Sequence, residues 1–503
     1  MVSPEMAPST LLCLLDSDGL TVSARRLQRA MTPAIYGKFV RSHTIRTPQI
    51  VGCDKTIQVL RRVRIGGIDC LRLPRHDIEE IKRRVSDIIV VGDLTKPPPQ
   101  LPPNSTTLAA ELFPNQKLVL ERLCSLNSGP LTTGIRAATV NVKAGQGKTF
   151  IAAGVISRLR LRTIYIVARV ALAKQAIADL TISLPGATIV AWNSSAKTKL
   201  AAANADVVVV VINSAVTWTK ADYAKFHLTI FDEVHMFCSV RRAEVFWRAN
   251  THVVLAMSAT TAERADKFDG VYHKHYGPVL HASELADYNA DEEAFTGRVK
   301  IINYFGSANY VENIVLPVTG NLFVPSMVEQ FAADARRNAV IVYEIRRLWQ
   351  AGHNVFVFSE RRDHLDELQR LLQAADITDV FAPELNGDTA TLRGGATDAQ
   401  RIAAMASRII LTTYGYSSTG LSIVKMDSIV FATPRKNGLK QICARVLRKG
   451  GDASITREIV DIVDSETALR RQLSTRKQAY SFYKFSTFTI DVFSIDHAAG
   501  NPV

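Results

Sequence analysis

The string VKAGQGKT, Val142 to Thr149, joins an apolar strand to a helix through a turn of small residues. Such a turn restricts the fold strongly, because it is built where a strand of a parallel sheet feeds a covering helix. Val142 ends the strand, Lys143 to Gly147 form the turn, and Lys148 and Thr149 open a helix that continues FIAAGVISRL. Small residues let backbone N–H groups close around phosphate oxygens, and the helix N-terminus adds a favourable dipole. Ala144, Gly145, Gln146 and Gly147 are therefore expected to cradle a triphosphate, ATP. Lys148 would neutralise its β- and γ-phosphates, and Thr149 would offer its hydroxyl to Mg²⁺. The common pattern has glycine where Val142 stands; Gly145, Gly147, Lys148 and Thr149 are kept.

From Thr107 the chain alternates short apolar strands with helical segments, the mark of a parallel sheet covered by helices. Expected strands are Ala138–Val142, Thr163–Val167, Val207–Ile212, Leu228–Phe231 and Val253–Met257. A second series follows at Asn354–Ser359, Arg408–Thr412, Ser428–Ala432 and Glu458–Val463. A proline cluster, PPPQLPP at 97–103, can be neither helix nor central strand and closes a small N-terminal region. That region carries β-branched stretches at Thr56–Val63 and Ile88–Val91 and a helical pattern near His76–Val85. The expected division is an accessory domain with linker at 1–104, a first α/β lobe at 105–290, a connection at 291–336 and a second lobe with its extension at 337–503.

The 503 residues carry a formal net charge of +14, an excess that favours polyanionic partners. Residues 1–104 contribute 16 Lys and Arg against 10 Asp and Glu. Six scattered cysteines form no CxxC pair, which argues against a zinc site or a disulfide framework. The run Leu11–Leu15 is too short for a signal peptide, and no apolar stretch has membrane length. A soluble intracellular protein without a membrane partner is expected.

Two further strings complete the chemistry. In DEVH, Asp232 and Glu233 stand at the end of an apolar strand, where open parallel sheets bind ligands. Asp232 suits Mg²⁺, Glu233 suits the attacking water, and His235 suits a relay to the next motif. In QICARVLR, a helical pattern places Arg445 and Arg448 one turn apart, able to neutralise charge developing on a γ-phosphate. Far downstream, Arg470, Arg471, Arg476 and Lys477 precede an alternating aromatic stretch that suits a partly buried strand, with the basic residues free to meet phosphates.

With these strings placed, residues 107 to 465 resemble superfamily 2 helicases of the DExH type. LFPNQ is similar to their adenine-reading element, which assigns that role to Gln116. YIVARVALAKQ, ADVVVVVINS, SAT, VFVFSERRDHLDEL and LTTYGYSSTGLS resemble the remaining motifs, although Ala168 replaces a usual proline, Ser422 a usual acid and Ala444 a usual glycine. The resemblance implies two tandem RecA-like parallel-sheet lobes behind a small α+β domain. It adds Gln441 to the hydrolytic group of Glu233, Arg445 and Arg448, and Gly420 to the nucleotide site. Nucleic acid would be contacted by Arg169, Ser214, Thr260, Ser359 and Thr412, and Ser258 with His235 would couple the two functions.

Within the superfamily, YSSTGL (416–421), NGD (386–388) and ARRN (335–338) resemble the transcript-release DNA helicases of poxviruses and other large DNA viruses. That implies unwinding of DNA with 3′ to 5′ polarity beside a viral RNA polymerase, in host cytoplasm, virus factory or virion, with the nucleus left open. Two alternatives stay open: an RNA helicase, or a translocase that displaces protein complexes without parting strands. The motifs encode stepping, and no wedge that would split a duplex is recognisable in the sequence.

Overall fold

The computed structural model describes residues 10–17, 19–46, 56–193, 201–260, 267–289, 295, 297–373, 387–417, 423–447, 451–452 and 454–494. The chain divides into two compact units, Met1–Ala290 and Asp291–Val503. No helix among the described residues is long and apolar enough to cross a membrane.

The first unit opens with β1 (Leu11–Asp16), β2 (Gly19–Ser23), β3 (Thr44–Arg46), β4 (Thr56–Gln58), β5 (Arg61–Ile65), β6 (Ile68–Leu73) and β7 (Ile88–Val91). Five of these form a sheet in the order β5-β6-β2-β1-β7, and β3 pairs with β4 apart from it. Period-two alternation turns Leu11, Cys13 and Leu15 of β1 into the core with Leu20, Val22, Leu71 and Leu73. The helices Ala24–Ala30 and Pro33–Ser42 start at Ser23 and Thr32, whose hydroxyls accept backbone N–H groups. The stretch expected as one β-branched run, Thr56–Val63, is broken between β4 and β5.

The same unit continues with β8 (Ala137–Asn141), β9 (Thr163–Val167), β10 (Ile189–Ala191), β11 (Val207–Val211), β12 (Leu228–Asp232), β13 (Val253–Ser258) and β14 (Val279–His281). They form one parallel sheet in the order β10-β11-β9-β12-β13-β8-β14. Strands such as VVVVV are apolar throughout because helices cover both faces, so separate clusters of buried side chains lie on the two sides.

The small N-terminal sheet is fastened to this lobe by polar contacts. Arg75, fully buried, donates to Asn250 Oδ1 (2.8 Å) and to the carbonyls of Ile135 (3.3 Å), His252 (3.2 Å) and Thr251. Asn250 returns a bond to the Asp16 carbonyl (2.8 Å), and Arg61 pairs with Glu244 (2.6 Å) over the ring of Trp247.

The second unit contains β15 (Gly297–Phe305), β16 (Val355–Ser359), β17 (Thr389–Leu392), β18 (Ile409–Thr413), β19 (Ser428–Phe431), β20 (Arg457–Asp464) and β21 (Ser486–Phe493). All run parallel, in the order β17-β18-β16-β19-β20-β15-β21. Both lobes thus have the expected architecture, and the nine strands expected in the two α/β series are present with their ends shifted by one residue at most.

Two segments differ from expectation. Residues 291–336, expected as a connection, include β15, which lies between β20 and β21. Its charged and polar residues hide it: Arg298 pairs with Glu458 and Lys300 with Glu344 (2.7 Å), and Asn303 donates to Asp491 (2.8 Å). The aromatic tail is also not one strand. Leu473–Phe482 is a helix that places Tyr480 in the core, and only β21 is extended. Arg476 cannot meet phosphates, because it is 1% exposed and donates to Asp461 (2.8 Å).

Replacing Arg75 by methionine should orphan its buried acceptors and cost about 3 kcal/mol. Denaturant titration with amide exchange over residues 10–46 and 56–96 should show this region opening early; unchanged protection would contradict the role given to Arg75. Burial, reinforced by the neighbouring Arg61, His43 and Arg75, pushes the His275 imidazole down to about 3. The folded value lies below the unfolded one, so this contribution is complete above about pH 6.5 and is lost as pH falls towards 3. Roughly 2 kcal/mol should disappear by pH 5. His275→Phe should therefore narrow the gap between melting temperatures at pH 7.5 and pH 5, and an unchanged gap would refute the assignment.

Candidate active site

The phosphate loop follows β8. Gly145 and Gly147 have φ of +85° and +71°, and Gly147 immediately precedes the helix Lys148–Leu159. A side chain at 147 would be strained on both counts, since its Cβ would lie 2.4 Å from Gln116 Nε2. Gln116 Nε2 donates to the Gln146 carbonyl (2.9 Å), and its Oε1 accepts from Phe113 N–H (3.0 Å). In this structure Gln116 thus braces the loop, leaving one N–H and one lone pair for a base. Val142 is buried and its N–H donates to the Ser258 carbonyl (3.1 Å), extending the β8–β13 ladder. Glycine is dispensable there because the position belongs to the sheet and not to the turn.

Asp232 closes β12, and Glu233 follows it with φ +55°, a left-handed conformation that costs a non-glycine residue roughly 1–2 kcal/mol. This turn aims Glu233 back at the loop, where its Oε1 lies 3.0 Å from Lys148 Nζ. Asp232 is buried, and its Oδ1 has no hydrogen-bond partner. Burial raises the Asp232 carboxyl and Glu233 raises it further, while Lys148 opposes both. Burial also acts to raise Glu233, but Lys148 and His235 outweigh it and hold that carboxyl below its ordinary value.

An uncompensated buried carboxylate oxygen beside a helix-opening threonine suits a divalent cation. No group of three or more His, Cys, Asp or Glu among the described residues could cage a metal. A cation held by Asp232 and Thr149 with phosphate oxygens fits Mg²⁺, which seldom uses an all-protein cage. Tyr165 was missed in the sequence. It is fully buried on β9, and burial and then the charge of Asp232 raise its hydroxyl far above the ordinary value, while Thr149 beside it acts in the opposite direction. Only the pairing of β9 with β12 brings it there.

His235 lies on the turn Val234–Phe237. Its Nδ1 is 2.7 Å from Ser258 Oγ, 3.4 Å from Glu233 and 3.5 Å from Thr260 Oγ1. Ser258 Oγ accepts the Thr260 N–H (3.0 Å). The expected coupling residues are therefore one connected group running from the carboxylates to the end of β13. Arg169 and Ser214 lie beyond the C-terminal ends of the neighbouring strands β9 and β11, on the sheet edge that carries the phosphate loop.

In the second unit the expected residues divide. Gln441 is partly exposed on the short helix Leu439–Cys443, and Arg445 is buried in the tighter turn Ala444–Val446, so one continuous helical face is not formed. Arg448 and Gly420 lie outside the described residues. Two expected nucleic-acid contacts need correction. The Ser359 hydroxyl is buried between His364 Nδ1 (3.0 Å) and the Arg361 N–H (3.1 Å). Thr412 is buried within β18 with its hydroxyl turned into the protein; strand alternation instead leaves Thr413 half-buried at the strand end. Arg337 and Asn338 of ARRN are interior as well. Arg337 donates to Asp464 (2.6 and 3.1 Å), and Asn338 meets His364 (2.9 Å).

Comparison with known proteins agrees with this geometry. Residues 109–263 match the family described as the res subunit of type III restriction enzymes. QP509L of African swine fever virus, provisionally named an ATP-dependent RNA helicase, is 29% identical over 357 residues, 68% of either chain. L396 of Acanthamoeba polyphaga mimivirus, named in the same way, is 25% identical over 402 residues, 77% of this chain and 72% of its own. The fold is similar to that of the helicase MrfA, solved with DNA and AMPPNP, at a TM-score of 0.54 and 12% identity. The match covers 78% of this chain and 55% of that one. The fold and site define an ATP-hydrolysing enzyme built on a pair of RecA-like lobes. Over two thirds or more of its length the chain is similar to helicases of large DNA viruses, and one segment of its first lobe matches a helicase-like family model.

Gly147→Ala should weaken ATP binding about tenfold or more without unfolding the lobe, because the new methyl displaces Gln116 from the loop. Titration with a fluorescent ATP analogue checks this, and unaltered affinity would refute the bracing role.

Proposed function

We propose that this chain uses ATP with Mg²⁺ to move 3′ to 5′ along DNA and part its strands, releasing transcripts from a viral RNA polymerase. The observation that carries the catalytic part is the Lys148–Glu233 pair at 3.0 Å beside the unsatisfied Asp232 oxygen. Without nucleotide, Lys148 and Glu233 neutralise each other. A triphosphate in the loop offers Lys148 a more highly charged partner, which frees the Glu233 carboxylate to orient and deprotonate the attacking water. Asp232 and Thr149 would hold Mg²⁺, which would supply charge neutralisation at the phosphates. Hydrolytic roles for Gln441, Arg445 and Arg448 rest on the likeness of QICARVLR to the family motif.

Net charge of +14 supports a polyanion, and the likeness of YSSTGL, NGD and ARRN to the transcript-release group supports DNA. The names of the viral relatives support the second reading, RNA. Arg169, Ser214 and Thr260 would take backbone phosphates along the first lobe's edge, with His235 and Ser258 relaying nucleotide state.

ATPase rates of the full chain with single-stranded DNA, duplex DNA and RNA, at one stated salt concentration, test the reading. DNA should stimulate most. Lys148→Ala should abolish turnover, and Glu233→Gln should bind ATP yet turn over at least about 100-fold more slowly. Stimulation by RNA alone would transfer the proposal to RNA; full activity in both variants would end it.

A further inference from the structure

Between β15 and the helix Val324–Ala333 the chain forms a hairpin that no helicase motif covers. The Phe323 N–H donates to the Ile314 carbonyl (2.8 Å), Val315 and Leu322 are bridged antiparallel, and the Leu316 N–H donates to the Asn321 carbonyl (2.8 Å). The turn closes through the Gly320 N–H to the Leu316 carbonyl (2.9 Å), with Gly320 at φ +65°. Its foot is firmly held. Ile314 and Val324 pack on Met327, Phe331 and Leu469, Asn313 accepts the Ala468 N–H (2.7 Å), and Gln330 donates to the Glu312 carbonyl (3.3 Å).

Its tip is the reverse of what solvent favours. Val318 is 96% exposed, and Val315, Leu316, Leu322 and Phe323 are each exposed by more than a third. Between Glu312 and Glu329 there is no charged residue, in a chain with a net charge of +14. An element meant to grip phosphates would carry lysine or arginine. One that presses on stacked bases would be apolar, uncharged and stiff, and Pro317 restricts the turn.

Placement supports the same use. The hairpin leaves the C-terminal end of β15, whose parallel sheet also presents the ends of β16 and β18 at that edge. The helix that follows is tied to the segment after β16 by Glu329 and Arg361, 3.4 Å apart. The segment joining β15 to this helix therefore lies along the edge that carries the ends of β16 and β18, where Thr413 is half-buried.

We infer that Ile314–Phe323 is the strand-separating pin, with Leu316, Pro317 and Val318 meeting the terminal base pair of a duplex as the motor draws one strand past it. This rests on the reading of the chain as a nucleic-acid motor. It goes further, because a motor without a pin steps along a strand and displaces obstacles but does not open duplex.

The test uses the full chain and two variants, Val318→Asp and Leu316→Ala, in three assays: nucleic-acid-stimulated ATPase, displacement of streptavidin from a biotinylated single strand, and unwinding of a tailed duplex. Because these side chains project into solvent, folding should be unaffected, and retained ATPase confirms that. Unwinding by Val318→Asp should fall about tenfold or more, with a smaller loss in Leu316→Ala, while ATPase and displacement stay within about twofold. Wild-type unwinding rates in both variants would overturn the pin, as would a parent chain that displaces streptavidin but opens no duplex. A parallel fall in all three assays would also overturn it, since the hairpin would then serve stepping or a partner protein. Absence of stimulation by DNA and RNA in the parent chain would instead remove the motor reading, and the pin with it.

Discussion

The ion pair between Lys148 and Glu233 is the contact around which the first lobe is arranged. Its partners come from the ends of β8 and β12, which are separated in the sheet by β13. Ser258, at the end of that intervening strand, is consequently within reach of His235, which in turn lies 3.4 Å from Glu233. A parallel sheet brings all its strand ends to one edge, so residues scattered through the sequence become a single electrostatic group. The left-handed turn at Glu233 is the local cost of aiming that carboxylate backward, and strain of this kind persists where surrounding structure enforces it.

Buried charge has a second use, in holding elements together. Arg75 joins the N-terminal sheet to the lobe through backbone carbonyls and Asn250. In the second unit Arg337 pairs with Asp464, Arg476 with Asp461, and Glu458 accepts from both Arg298 and Arg347. Removing one partner from such a pair strands a charge in a poor solvent for it, so these pairs specify geometry more than they add stability. They also show why net charge is a blunt guide: several arginines that raise it never meet solvent.

The phosphate loop, the DEVH strand and the two lobes were legible because each couples a local pattern to chemistry within a few residues. Edge strands such as β10, β14 and β17 were not, being three or four residues long with mixed burial. β15 was hidden by charges that cross-strand and helical partners neutralise, and local sequence cannot display those partners. Ser359 and Thr412 sat inside motifs that resembled nucleic-acid contacts, yet the direction of a side chain at a strand end depends on its register. The hairpin at Ile314–Phe323 is equally invisible beforehand, because its apolar residues look like core until tertiary structure leaves them outside.

The sequence alone determined the class of machine: strand period, loop glycines, paired carboxylates and their order specify a parallel α/β sheet with a triphosphate site, all through short-range constraints. Only the tertiary structure decided which polar groups face that site and which serve the interior. It put Tyr165 beside Asp232, withdrew Ser359, Thr412 and Arg476 from the surface, and left Val318 in solvent. The reason is physical. Burial and electrostatic partnership are properties of neighbours brought together by strand order and register, and neither is encoded in the local sequence of the residue concerned.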